Sequence, residues 1–297
     1  MFDDFRMSAR CRDSDLPERK IEVLNLVKRL TYRPELITLA RTLGLRRVLR
    51  NLYYRWARPR DGVVRIEVNG VEAQFYVRTP GELRNLDPVG GAQAEFPVLE
   101  RVLSFLSTGG IFCDIGSNVG LYAILAAKKV GEQGRVLAFE PYSQAFFHLQ
   151  DNIKLNRVTN ITTFNKAVGE TRGTAQLNMG EENADSSLVR SPTGQDLGHE
   201  TVEVISMDEF IGAEQLPVPR VVKIDVEGFE YSVMQGMRRT FAEPACQLVC
   251  CEVHPSLLPP DISRQSIAAF LGSLGFQHIE ACPRKDTFHV FASKMGP

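Results

Sequence analysis

Apolar residues in the first sixty positions recur at helical spacing, and Ile21 to Leu30 and Arg33 to Trp56 read as helices. In the second, Leu45, Val48, Leu49, Leu52 and Trp56 form one stripe with arginines between them. Apolar and polar residues then alternate over Val63 to Val68 and Val71 to Val77, around Asn69-Gly70, which predicts a β-hairpin. Thr79 to Gln93, rich in Gly and Pro, reads as a loop leading into a helix from Glu95 to Leu106. From Ile111 strand and helix alternate. Ile111 to Ile115, Arg135 to Phe139, Ile161 to Asn165, Val221 to Ile224 and Cys246 to Val253 read as buried strands. Helices are expected over Val119 to Val130, Ser143 to Leu155, Glu230 to Thr240 and Ile262 to Leu274. His278 to Ala281 and Thr287 to Ala292 flank a turn and close the pattern as a hairpin. Between Val168 and Ile211 the rhythm breaks, and Gly180 to Gly198 reads as an inserted loop flanked by short strands. The expectation is an α/β domain over 95–297, with a mostly parallel sheet and an antiparallel strand from the closing hairpin, behind a helical and hairpin cap over 1–94.

Charge changes this picture more than composition does. The 297 residues are 43% hydrophobic and 24% charged, which excludes disordered and collagen-like chains. The longest apolar stretches, such as Val119 to Ala127, are too short to span a bilayer, and the start MFDDFRMSAR lacks the apolar core of a signal peptide. Six cysteines without a CxxC pair argue against a disulfide scaffold and the common zinc modules, so a reduced, cytoplasmic protein is expected. The net charge of -1, however, conceals ten basic residues between Lys28 and Arg60 set against Glu35 alone. Such segregation points to an anionic partner, whether a membrane surface, a nucleic acid or an acidic substrate, and peripheral contact with an anionic membrane or a lipid-linked glycan acceptor is one expectation.

The clearest site signal is Phe112-Cys113-Asp114-Ile115-Gly116-Ser117-Asn118-Val119-Gly120, an apolar strand running through a glycine-rich turn into a helix. Glycines let backbone amides approach a ligand, and a helix N-terminus favours negative charge. Nicotinamide dinucleotides call for G-x-G-x-x-G after the strand. Here the pattern is D-x-G-x-x-x-G, and Asp114 would repel a pyrophosphate. A carboxylate there suits a ligand with a cationic amine, such as the methionine part of S-adenosylmethionine. Glu140, 24 residues after Gly116 and before Pro141, falls near the spacing of about 20 at which an acid grips ribose hydroxyls.

With those residues in view, CDIGSNVGLYA, AFEP, VKIDVEGFE and CEVH resemble the FkbM-type methyltransferases, over about Glu95 to Ser293. Val222 to Gly228, with Ser206-Met207-Asp208-Glu209-Phe210 before it, is the most specific part; Met207 stands where the family usually has Leu. The resemblance implies a Rossmann-like seven-stranded sheet with one antiparallel strand, S-adenosylmethionine as methyl donor, and transfer to a hydroxyl of a sugar, glycan or natural product. It also implies a cofactor site at Asp114, Gly116, Ser117, Asn118, Gly120 and Glu140, with Ala167 near adenine.

Lys223, Asp225 and Glu227 fall at a strand end, where parallel sheets bind ligands. Methyl transfer to an alcohol needs removal of the hydroxyl proton. Asp225 or Glu227 can accept it, and Lys223 can hold a carboxylate in place. His254 closes the next strand and can serve as a base near neutral pH, with Glu252 orienting it. Asp225, Glu252 and His254 can also be grouped as a magnesium site, but magnesium prefers oxygen donors and no metal is expected. A nucleic-acid methyltransferase, with arginines on phosphates, is the alternative enzyme. Asp225-Val226-Glu227, in place of the Asn/Asp-Pro-Pro-aromatic turn of amino-methylating enzymes, argues against it. A non-catalytic membrane-bound module would have no reason to keep Asp114 and Glu140.

Overall fold

The computed structural model describes residues 54–55, 57–86, 91–179, 187–189, 198–284 and 286–295. The helices expected up to Trp56, and most of the basic stretch, lie outside them. Two compact units divide the chain, Met1–Glu95 and Phe96–Pro297.

In the first unit, β1 (Val63–Val68) and β2 (Val71–Tyr76) pair antiparallel around Asn69-Gly70. Val64, Ile66, Val68, Ala73 and Phe75 are buried in it. The expected loop from Thr79 is instead helix α1 (Pro80–Leu86), followed by α2 (Gly91–Ser104). A capping box explains α1. Thr79 Oγ1 accepts from the Glu82 amide at 3.1 Å, Glu82 Oε2 accepts from the Thr79 amide at 3.3 Å, and Pro80 occupies the first helical position, where it needs no partner for an N–H.

The second unit is built on a seven-stranded sheet. Its strands are β3 (Ile111–Ile115), β4 (Arg135–Phe139), β5 (Ile161–Phe164), β9 (Val221–Ile224), β10 (Leu248–Val253), β11 (His278–Arg284) and β12 (Thr287–Ser293). The order is β11-β12-β10-β9-β3-β4-β5, and β12 alone runs against its neighbours, as expected from the closing hairpin. Helices α3 (Leu121–Val130), α4 (Ser143–Asn156) and α8 (Arg264–Ser273) connect the strands. Cys113, Ile115, Leu137, Phe139, Val222, Ile224, Val249, Cys251 and Val253 face one core cluster with Val233, Met234, Met237 and Phe241.

Where the rhythm breaks, β6 (Ala167–Gly169), β7 (Gly173–Asn178) and β8 (His199–Ser206) form a separate three-stranded sheet, with β7 and β8 flanking the insertion. Helix α5 (Met207–Ala213) follows. The single helix expected over Glu230 to Thr240 is two, α6 (Glu230–Gln235) and α7 (Arg238–Ala242). The break falls at Gly236, where a Cβ would lie 1.9 Å from the Gly169 carbonyl oxygen. The small sheet thus presses its backbone onto the point where the helix parts. No helix among the described residues is long and apolar enough to cross a membrane.

Candidate active site

Strand ends β3, β4, β9 and β10 carry the site. Asp114 lies in β3 beside Lys223 of β9, in register on the neighbouring parallel strand. Asp114 is 1% exposed, and neither of its carboxyl oxygens accepts a hydrogen bond. Burial pushes its pKa up to about 6, against the pull of Lys223, with Asp225 adding to the rise. Its backbone carbonyl accepts from Ser117 Oγ at 2.9 Å, which closes the glycine-rich turn. Gly116 has φ +81°, and a Cβ there would meet the Asp225 carbonyl oxygen at 1.8 Å, so the strand ends approach one another only over a bare glycine.

Glu140, at the end of β4, is also buried. Its Oε2 accepts from the Asn118 amide at 2.7 Å and its Oε1 from the Tyr142 amide at 2.9 Å. Burial nonetheless pushes its pKa up to about 7. Each oxygen keeps a second lone pair for a hydroxyl donor. Asn165 Nδ2 donates to the carbonyls of Glu140 and Pro141, pinning the bend behind the acid. Ala167 is buried at the start of β6, two residues after Asn165. Gly120 and Asn118 both have positive φ, and Asn152 Nδ2 holds the Val119 carbonyl at 2.9 Å, so the turn is tied to α4.

The orphaned carboxyl oxygens of Asp114 decide whether S-adenosylmethionine fits. A buried carboxylate without a donor is costly and is satisfied by a cationic or N–H-bearing ligand. Asp114 and Glu140, at adjacent strand ends beside the bare backbone of Gly116, match the charged amine and the ribose diol of that cofactor.

The second cluster is made by the turn after β9 and the end of β10. Lys223 Nζ binds Asp225 Oδ2 at 3.0 Å and lies 4.6 Å from the ring centre of Tyr122, so the carboxylate that it holds is that of Asp225. Glu227 adopts φ +50°. Its carbonyl accepts from Ser187 Oγ, which fastens the insertion to this turn. Its carboxylate Oε2 faces His254 Nε2 at 3.3 Å. His254 Nδ1 is hydrogen-bonded to Glu230 Oε1 at 2.6 Å, and the same oxygen accepts from the Gly228 amide at 2.8 Å. Burial alone would lower the His254 pKa. Glu230, Glu227 and Asp225 outweigh it and push the imidazole up to about 9.

Glu252 corrects the sequence reading. It neither orients His254 nor joins a metal set. It faces β12, accepting from Thr287 Oγ1 at 2.8 Å and lying 3.3 Å from Arg284 Nη1 and 3.5 Å from His289 Nε2. Burial would raise its pKa, but His289, Thr287 and Arg284 hold it down to about 2. The residue on His254 Nδ1 is Glu230, whose place in the VEGFE segment was visible but whose partner, 24 positions away, was not. The atoms that do gather within 4.8 Å of one another come from Asp225, Glu227 and His254, a spacing that also suits one divalent cation.

The model of the methyltransferase FkbM domain matches residues 114–277, more than half of the chain. The chain belongs to the FkbM methyltransferase family. The match spans both clusters. Among relatives, the chain is 28% identical over 220 residues to a hexuronic acid methyltransferase, AglP, of Haloferax volcanii, covering 70% of this chain and 83% of that one. It is 27% identical over 142 residues to Methyltransferase 1 of Beauveria bassiana, covering 42% and 57%. Among solved structures, it is similar to an FkbM methyltransferase of Methylobacillus flagellatus with a TM-score of 0.43 and 18% identity, covering 71% and 54%.

Proposed function

We propose that this FkbM methyltransferase transfers a methyl group to a hydroxyl oxygen of a sugar, with a hexuronic acid residue as the acceptor class. The observation that carries the reading is the meeting of Asp225, Glu227 and His254 at the same sheet edge as the orphaned carboxylate of Asp114. The acceptor class is carried over from the Haloferax relative, whose match runs along most of both chains.

Bound S-adenosylmethionine supplies an electrophilic methyl group on a sulfonium. Asp114 would receive its cationic amine and Glu140 its ribose hydroxyls, with the backbone of Gly116 and Asn118 beside them. The acceptor hydroxyl approaches His254 Nε2 from beside Glu227. The hydroxyl oxygen would take the methyl group as the carbon–sulfur bond broke onto sulfur, and its proton would pass to His254 Nε2. Glu227 and Asp225 stabilise the imidazolium so formed, and Lys223 keeps Asp225 in place.

Asp225→Asn, Glu227→Gln and His254→Ala test this with a glucuronic acid glycoside as acceptor. All three should keep cofactor affinity in calorimetry, while His254→Ala loses turnover by about 10²–10⁴-fold. Near-wild-type turnover in all three variants would mean that the acceptor loses its proton elsewhere.

A further inference from the structure

Glu230 is fully buried at the first position of α6, yet it is an acid in a helix that otherwise turns Val233 and Met234 to the core. Burying a carboxylate there is costly, and an apolar residue would pack at no such cost. One of its oxygens is used twice, accepting from the Gly228 amide at 2.8 Å and facing His254 Nδ1 at 2.6 Å. The other, Oε2, is buried without a hydrogen-bond partner. The bond to Gly228 fixes the oxygen as an acceptor aimed back at the turn, so the only role left for Nδ1 is donor.

An imidazole with its proton held on Nδ1 has Nε2 free to accept, and Nε2 faces Glu227 across 3.3 Å. We infer that Glu230 is the positioning residue of the methyl transfer, holding His254 in the Nδ1–H tautomer with Nε2 turned to the acceptor hydroxyl. It touches no substrate and acts through the ring alone. The inference rests on His254 as the proton acceptor. The arrangement follows the logic of serine-protease triads, in which a buried carboxylate sets the tautomer and orientation of the histidine base. The same carboxylate couples the base to the turn: Gly228 follows Glu227, so one oxygen fixes both the base and the acid beside it.

The test combines nitrogen-resolved NMR of histidine-labelled protein with steady-state turnover on a glucuronic acid glycoside. In the wild-type protein His254 should show a far-downfield proton on Nδ1. In Glu230→Gln the neutral amide should move that proton upfield, and kcat should fall about 100-fold. The acceptor KM and the cofactor affinity should stay within about threefold, which a loosened fold would not allow. Wild-type kcat in a folded Glu230→Gln protein overturns the inference. So does a wild-type spectrum recorded above pH 9, where the ring is neutral, with the His254 proton on Nε2, a result that needs no variant to fold. A His254→Gln variant with full turnover overturns instead the proton-acceptor reading underneath. The two failures are separable, because the tautomer is read without turnover.

Discussion

Asp114 and Lys223 stand side by side on adjacent strands, yet the ammonium of Lys223 hydrogen-bonds Asp225, and the carboxyl oxygens of Asp114 accept no hydrogen bond. Burial leaves Asp114 a weaker acid in the folded protein than in the unfolded chain. Its ionisation therefore opposes folding at neutral pH, and the effect disappears as pH falls below about 6. Asp114→Asn should stabilise the ligand-free protein by about 1–3 kcal/mol at pH 7.5, since one pKa unit is about 1.4 kcal/mol. The same change should weaken S-adenosylmethionine by about 10–100-fold, through loss of a charge-assisted bond. Thermal unfolding and calorimetry measure the two effects. A variant destabilised in the absence of ligand would show that Asp114 has a structural partner.

Cofactor affinity should depend on pH with a definite sign. Glu140 and Asp114, raised to about 7 and about 6, must both be ionised to receive hydroxyl donors and a cationic amine. Affinity should fall as pH drops from 8 to 5.5, and binding near pH 6.5 should release protons to the buffer. Calorimetry in buffers of different ionisation enthalpy reads that release directly; a proton count of zero would contradict the electrostatic account.

Turnover should have a limb of the same sign at higher pH. His254 accepts a proton only in its neutral form, and its neighbours hold it protonated up to about 9. With the cofactor saturating, the rate should rise roughly tenfold per unit between pH 6.5 and 8.5 before levelling. In Glu227→Gln one of the supporting charges is gone, so the levelling point should move to lower pH. A flat profile would exclude His254 as the base.

Glu252 should behave as a structural residue. Its depressed pKa means that its stabilisation is present above about pH 4.5 and is lost as pH falls toward 2. Glu252→Gln should cost about 1–3 kcal/mol, because it weakens the bonds that Arg284, Thr287 and His289 make to a mostly buried carboxylate. Cofactor affinity should be unchanged. A selective loss of turnover without loss of stability would return Glu252 to the active site.

What the sequence made legible, and what it hid, divides by the length of chain that each feature spans. The donor loop is strand, glycine turn and helix in one run, so Asp114, Gly116 and Gly120 could be read together. Glu140 needed only the next strand end. A mostly parallel sheet with one antiparallel strand followed from strand and helix alternation plus one terminal hairpin, while the order of its strands is set by pairings that no local pattern records. Glu230 escaped notice because its partner His254 lies across a helix and a strand. Glu252 was misplaced for a related reason. It is two residues from His254, but its side chain shares a face with Cys250 and meets β12, where His289 stands opposite. The break at Gly236 is set by Gly169, some 67 positions earlier, and no local pattern records it. The Thr79–Glu82 capping box was local and readable, but the Gly and Pro around it gave the segment a loop's composition.

The central claim is transfer of a methyl group from S-adenosylmethionine to a sugar hydroxyl. Incubating the protein with methyl-labelled donor and an oligosaccharide containing glucuronic acid, then locating the label by mass spectrometry before and after mild alkali, tests it most directly. The account predicts an alkali-stable methyl ether on a ring hydroxyl, formed by the wild-type protein and lost in His254→Ala. An alkali-labile methyl ester on the uronic carboxyl, or equal labelling by His254→Ala, would contradict it.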